Sequence, residues 1–136
     1  MKRALGIDLG EARVGVAVSD ELGILAHPLE TIHVRKSDVE KRILELAAEK
    51  QAHVIVVGVP RNMNGTFGPA AEKSQAFIEK LRTKTTCNVI AWDERLTTVS
   101  AQRALQEAGK KAREHKAIID QAAAQILLQS WLDSQA

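Results

Sequence analysis

The first part of the chain is a series of short apolar runs broken by turn residues, the pattern of extended strands. Ala4 to Leu9 (ALGIDL) and Arg13 to Ser19 (RVGVAVS) are rich in small and branched apolar residues, and the Gly-containing turn at Gly10 to Ala12 between them predicts a hairpin. A third extended segment covers about Ile24 to His33. Pro28 inside it cannot donate to a ladder, which assigns this strand to an edge. The sheet is thus expected to begin as an antiparallel meander.

From Ser37 the period changes. Ser37-Asp38-Val39-Glu40 has the form of a capping box, and Val39, Ile43, Leu46 and Ala47 follow at helical spacing to about Lys50. His53 to Val59 (HVIVVGV) is apolar without interruption, as expected of a parallel strand covered on both faces, and it stops at Pro60. A polar, glycine-bearing loop, Arg61 to Gly65, comes next. Pro69 is suited to the first turn of a second helix with Phe77, Ile78 and Leu81 on its inner face, and Cys87 to Trp92 (CNVIAW) reads as the last strand. Two helices complete the chain: one over about Thr98 to Ala108, ending near Gly109, and one over about Lys116 to Leu132 that is apolar around most of its circumference and should pack deeply.

Three strands, helix, strand, helix, strand and two helices make an α/β fold: a mixed five-stranded sheet, a three-strand antiparallel meander continued by parallel strands, with helices on both faces. With no internal repeat or low-complexity linker, residues 1–136 are expected to form a single domain. RNase H-like nucleases and each half of actin-like ATPases share this topology, so the fold alone does not decide the function.

Composition narrows the setting. With 45% hydrophobic and 26% charged residues the chain can bury a real core. It contains no run of about 18 apolar residues, and Met-Lys-Arg leads directly into a strand, so a cytoplasmic protein is expected. Cys87 is the only cysteine, which excludes an intramolecular disulfide and a cysteine-based zinc site and suits core filling. The net charge of +2 is uninformative, but Lys110, Lys111, Arg113 and Lys116 crowd a segment opposed only by Glu114; such a cluster either neutralises backbone phosphates or is a solvated basic loop.

The acids carry the chemistry. Asp8 stands between Ile7 and Leu9 in a central strand, where a carboxylate is costly unless paired or metal-bound. Asp120 repeats that signal amid Ile118, Ile119, Ala122 and Ala123. Asp93 and Glu94 lie at the end of the last strand, which this topology separates from the first only by the strand at His53 to Val59. Each acid alone can be a satisfied core carboxylate, a cap or an ion-pair partner; together they can converge. Clustered carboxylates without Cys or His ligands suit Mg²⁺ or Mn²⁺. Two such ions about 4 Å apart can activate water and stabilise the leaving oxygen in phosphodiester cleavage without any nucleophilic side chain.

The segments GIDLGEARVGVAVSD at Gly6 to Asp20, VVGVPRNMNG at Val56 to Gly65, DERLTT at Asp93 to Thr98 and DQAAAQILLQSWL at Asp120 to Leu132 span nearly the whole chain. In them the chain resembles the YqgF/RuvX family, RuvC-like proteins described as Holliday junction resolvases or as nucleases maturing the 5′ end of pre-16S ribosomal RNA. The resemblance implies an RNase H-like fold and a metal-dependent nuclease with Asp8, one acid of the DER segment and Asp120 as metal ligands and catalytic residues. Glu94 is preferred over Asp93, because successive strand residues face opposite ways and the other acid is left to cap the turn or hold Arg95. RuvC proteins proper usually carry a further Asp or His three positions before their last Asp, where this chain has Ala117.

Nucleic-acid contacts are expected from Arg13, Arg61 and Asn62 beside the strand ends and from Lys110, Lys111, Arg113 and Lys116. For Arg13 an ion pair with Glu11 or Asp20 is an equal alternative, and Thr97 and Thr98 are read as helix-capping residues. Pre-16S rRNA processing is the leading reading, with four-way DNA junctions as the alternative substrate. The expected partners are structured RNA or branched DNA, pre-ribosomal particles, and no membrane, with the protein as a monomer or weak homodimer. GIDLG also resembles the first phosphate loop of actin-like ATPases and sugar kinases, but those enzymes need two related halves and this chain has the length of one. A non-catalytic nucleic-acid-binding module remains a third reading. Phe67, Phe77, Trp92 and Trp131 are its only aromatics, too few for a base-stacking platform, so recognition by backbone charge and shape is expected.

Overall fold

The computed structural model describes residues 3–61, 64–96 and 112–135, with the backbone alone for Leu96 and residues 112–120. In chain order the elements are β1 (Arg3–Leu9), β2 (Arg13–Ser19), β3 (Ala26–His33), α1 (Val39–Glu49), β4 (Ala52–Val59), α2 (Pro69–Arg82), β5 (Asn88–Asp93), a single 3-10 turn (Glu94–Leu96) and α3 (Ala112–Gln135). The five strands form one sheet in the order β3-β2-β1-β4-β5. β1–β2 and β2–β3 are antiparallel, while β4 runs parallel to both β1 and β5. The meander continued by parallel strands expected from the sequence is therefore the observed sheet.

Strand alternation divides the core in two. On one face Leu5, Ile7, Val14, Val16, Ile55 and Val57 pack with Ile43 and Leu46 of α1 and Ile78 and Leu81 of α2. On the other, Ala4, Ala17 and Val56 meet Ala124, Leu128 and Leu132 of α3. Gly6 lies under α3: a Cβ there would come within 2.6 Å of Leu128 Cβ and 3.0 Å of the Ala124 carbonyl oxygen, so this glycine sets how closely the helix approaches β1.

Three glutamines one turn apart fix the direction of α3. Gln121 Nε2 donates to Thr31 Oγ1 at 3.0 Å, and Gln125 Nε2 donates to the Ala26 carbonyl at 3.0 Å. Gln129 Oε1 accepts the Ala26 N–H at 2.9 Å while its Nε2 donates to the Ile24 carbonyl at 2.8 Å. Moving from Ala26 to Thr31 along β3 thus means moving toward the N-terminus of α3. Since β3 runs in the same direction as β1, the early residues of α3 lie toward the carboxyl end of β1.

Element boundaries differ from the sequence reading for identifiable reasons. β3 starts at Ala26 rather than Ile24, because the Asp20 carboxylate accepts the N–H groups of Ile24 (2.8 Å) and Leu25 (3.2 Å) and holds them in a turn. The N-cap of α1 is Asp38, not Ser37: its Oδ1 accepts from the Lys41 N–H at 3.2 Å, while Glu40 pairs with Lys84 (2.6 Å) and Lys80 (3.3 Å) of the neighbouring helix end. β5 is shifted by one residue, to Asn88–Asp93, and α3 extends beyond 116–132 at both ends. Cys87 packs against the core, its thiol donating to the Ala52 carbonyl at 3.3 Å. The helix expected over 98–108 lies outside the described residues. Among the described residues, no helix is long and apolar enough to cross a membrane.

Candidate active site

Alternation along β1 puts Asp8 on the same face as Gly6, two residues nearer the carboxyl end of the strand. On the far side of β4, β5 ends with Asp93 paired to Val59, and the chain then tightens into the 3-10 turn that begins at Glu94. The Glu94 side chain turns back over the sheet and its carboxyl hydrogen-bonds that of Asp8. Glu94 is pushed up to about 7 from the usual carboxylate range, first by burial, then by the charge and hydrogen bond of Asp8, then by the charge of Asp93. Near neutrality the pair therefore shares one proton, because two close carboxylates resist being ionised together.

Asp93 has a different environment. Its Oδ1 accepts the backbone N–H of Arg95 at 2.9 Å, closing the turn, and its Oδ2 accepts from Arg95 Nη2 at 2.7 Å and from Arg61 Nη1 at 3.4 Å. The hydrogen bond from Arg95 is the main cause holding its carboxyl below the usual range. Arg61 also donates through Nε to the Gly65 carbonyl at 3.0 Å and lies 4.4 Å from the centre of the Phe67 ring. Several of its donors are thus committed to the loop after β4. The link between Arg61 and Asp93 has no signature in the sequence.

Asp120 belongs to α3, one turn before Ala124 and next to Gln121, which bonds Thr31. Its backbone is therefore at the same end of the sheet as Asp8; its side chain lies outside the described atoms, as do those of Arg113 and Lys116. Asn62, Thr97, Thr98, Lys110 and Lys111 lie outside the described residues. Arg13 opens β2 opposite the end of β1, whereas Asp20 follows the far end of β2 and is occupied by Ile24 and Leu25. An Arg13–Asp20 pair is thereby excluded, since seven extended residues span about 23 Å.

The residues fit a hard divalent cation. Asp8 and Glu94 offer only carboxylate oxygens, and the burial and neighbouring charge that raise Glu94 are costs that a bound divalent cation would offset. Among the described residues no group of three or more potential ligands gathers, the Asp120 side chain not being among them. A separate cavity of about 780 Å³, lined by Leu9, Val14, Val39, Pro69 and Phe77 among others, opens toward α1 and α2, and neither acid lines it.

The fold defines the class: it is that of RuvC-like, RNase H-type resolvases. The structure superposes on Thermus thermophilus RuvC solved with a Holliday junction substrate with a TM-score of 0.63, at 15% identity, covering 99% of this chain and 96% of that one. It superposes on the fowlpox virus Holliday junction resolvase with a TM-score of 0.57, at 13% identity, covering 97% and 99%. Within that class the family profile described as "RuvX: Holliday junction resolvase" matches residues 2–134, and the chain belongs to the RuvX family. It is 48% identical over 136 residues to a protein of Geobacillus sp. (strain WCH70), covering 98% of this chain and 99% of the relative. It is 49% identical over 137 residues to one of Acetivibrio thermocellus, covering 98% and 96%. Both carry the name "Putative pre-16S rRNA nuclease".

Proposed function

We propose that this RuvX-family nuclease is a cytoplasmic, Mg²⁺- or Mn²⁺-dependent enzyme that hydrolyses phosphodiester bonds at the 5′ end of pre-16S ribosomal RNA. The observation that carries the reading is the Glu94 carboxyl bonded to Asp8 at the carboxyl end of the sheet, half-buried and with its acidity suppressed by its neighbour. The near full-length relatives bearing the pre-16S name support the choice of substrate.

Asp8, Glu94 and Asp120 are the proposed ligands. Bound divalent ions supply charge neutralisation at the scissile phosphate and an activated water. Asp8 and Glu94 must lose their shared proton to serve, so occupancy of the site rises with pH through the titration of the pair. Asp93 keeps Arg95 and Arg61 at the margin of the site, where the guanidiniums can meet phosphate oxygens. Arg13, Asn62, Lys110, Lys111, Arg113 and Lys116 are proposed to follow the nucleic-acid backbone on either side. A single protomer suffices for cutting an RNA end.

Cleavage of a four-way DNA junction is the second reading, favoured by the likeness to RuvC bound to such a substrate; it needs a dimer for two symmetric cuts. The deciding experiment is the purified protein with Mn²⁺, assayed side by side on precursor 16S rRNA and on a four-way junction. Asp8→Asn, Glu94→Gln and Asp120→Asn serve as controls. Cleavage of the precursor, lost in all three variants, is expected. Cutting of the junction alone supports the second reading, and full activity in the variants rejects the carboxylate mechanism.

A further inference from the structure

Adjacent strands lie about 4.8 Å apart, so β1 and β5 are separated by the full width of β4. The Glu94 side chain must cross that strand to bond Asp8. At the crossing β4 carries Gly58, which pairs with Trp92 on β5 and follows Val57, the partner of Ile7, on β1. A Cβ at position 58 would lie 3.0 Å from Glu94 Cγ and 3.1 Å from Cδ, and closer still to Oε1. Its three nearest heavy atoms all belong to Glu94.

The other reasons for a glycine in a strand do not apply here. Among the described residues, positive φ occurs at Gln51, Gly23 and Gly65, so the backbone at 58 is open to any residue. None of its three nearest atoms belongs to α1, α2 or α3, unlike Gly6 beneath Leu128. Val56, two residues earlier on the same face, is fully buried in the cluster under α3.

We infer that Gly58 is a positioning residue for the acidic pair: its missing side chain is the slot through which Glu94 crosses β4 to reach Asp8. The inference deepens the proposed function and rests on its reading of the pair as the reactive site. It touches neither substrate nor metal and acts only through Glu94.

The test is a double-variant cycle on the metal-free protein, read by denaturant midpoint, with Mn²⁺ affinity read separately from the resonance of free Mn²⁺. Gly58→Ala should lower the midpoint when Glu94 is present. In a Glu94→Ala background it should leave the midpoint unchanged or raise it, because alanine restricts the unfolded chain more than glycine. If Gly58→Ala fails to fold, folding of Gly58→Ala/Glu94→Ala supports the inference. An equal loss in both backgrounds, or no loss in the first, overturns it. Gly58→Ala should also weaken Mn²⁺ binding by about tenfold or more, the range for groups that orient metal ligands. Val57→Ala, on the opposite face, should destabilise without that effect. Unchanged Mn²⁺ affinity in Gly58→Ala overturns the positioning role. If the unaltered protein binds no Mn²⁺, the metal-site reading fails, and the stability cycle still decides whether Gly58 positions Glu94.

Discussion

Glu94 is bonded to Asp8 across the width of a neighbouring strand, and burial together with that neighbour makes it hold its proton to higher pH than an ordinary carboxyl. Its acidity in the fold lies at about 7 against an ordinary value of 4.5. A carboxyl raised in this way contributes stability that is complete below 4.5 and is lost as pH rises through about 7. Denaturant midpoints of the metal-free protein should therefore fall from pH 5 to pH 8 relative to Glu94→Gln, whose amide does not titrate. Added Mg²⁺ should restore the midpoint at pH 8 in the unaltered protein and less so in Glu94→Gln. Parallel curves for the two proteins would refute the shared proton.

The contrast between Asp93 and Glu94 separates two roles in consecutive residues. Asp93→Asn keeps an acceptor for the Arg95 N–H and loses one charge, so cleavage should fall by about tenfold or less, the equivalent of one charge-assisted bond. Glu94→Gln should lose cleavage altogether. Single-turnover rates of the two variants compare them directly, and the reverse ranking would exchange their assignments.

Glu30 and Arg42 clamp β3 to α1 through two parallel bonds, Nε to Oε2 and Nη2 to Oε1, each 2.7 Å. The hydrogen bond from Arg42 holds the Glu30 carboxyl below its ordinary value, so its contribution is present above 4.5 and lost as pH falls through the lowered value. Both side chains are 31% exposed, which limits the expected cost of Glu30→Gln to about 1 kcal/mol at pH 7. Unfolding curves at pH 7 and at successively lower pH below 4.5 should show this difference and then its progressive narrowing.

Gln129 serves both polar groups of a turn-to-strand junction, accepting from Ala26 and donating to Ile24. Ala26 is 3% exposed, so Gln129→Leu leaves its N–H without this partner in a dry place. The expected destabilisation is about 1–3 kcal/mol. Hydrogen exchange at the Ala26 amide should accelerate more than at the Val16 amide in the middle of the sheet.

Elements built on local periodicity were legible in the sequence. The hairpin of ALGIDL and RVGVAVS, the buried strand HVIVVGV and the proline-bearing edge strand all stand where their patterns put them. What stayed hidden depends on partners distant in the chain. The capping-box pattern pointed to Ser37, and the pairing of Glu40 with Lys80 and Lys84 leaves the role to Asp38. Asp8 was conspicuous as an acid in an apolar strand; strand alternation was the ground for preferring Glu94 to Asp93, whereas in the fold Glu94 opens the 3-10 turn after β5 ends at Asp93. The contact between Asp8 and Glu94, however, depends on an empty position in an intervening strand, and Gly58 passes unnoticed within an apolar run. Gln121, Gln125 and Gln129 lie on a helix read from the sequence only as apolar around most of its circumference, and nothing local says that a strand waits opposite them.

The spacing of these glutamines has a mechanical consequence. Sliding α3 by four residues, about 6 Å, would carry two of the amides to a neighbour's seat on β3 and leave the third without one. A slip of one residue would rotate all of them off the strand together. The edge strand therefore works as a keyway that indexes the helix lengthwise, so the level at which the backbone of residue 120 stands at the carboxyl end of the sheet is dictated from the far margin.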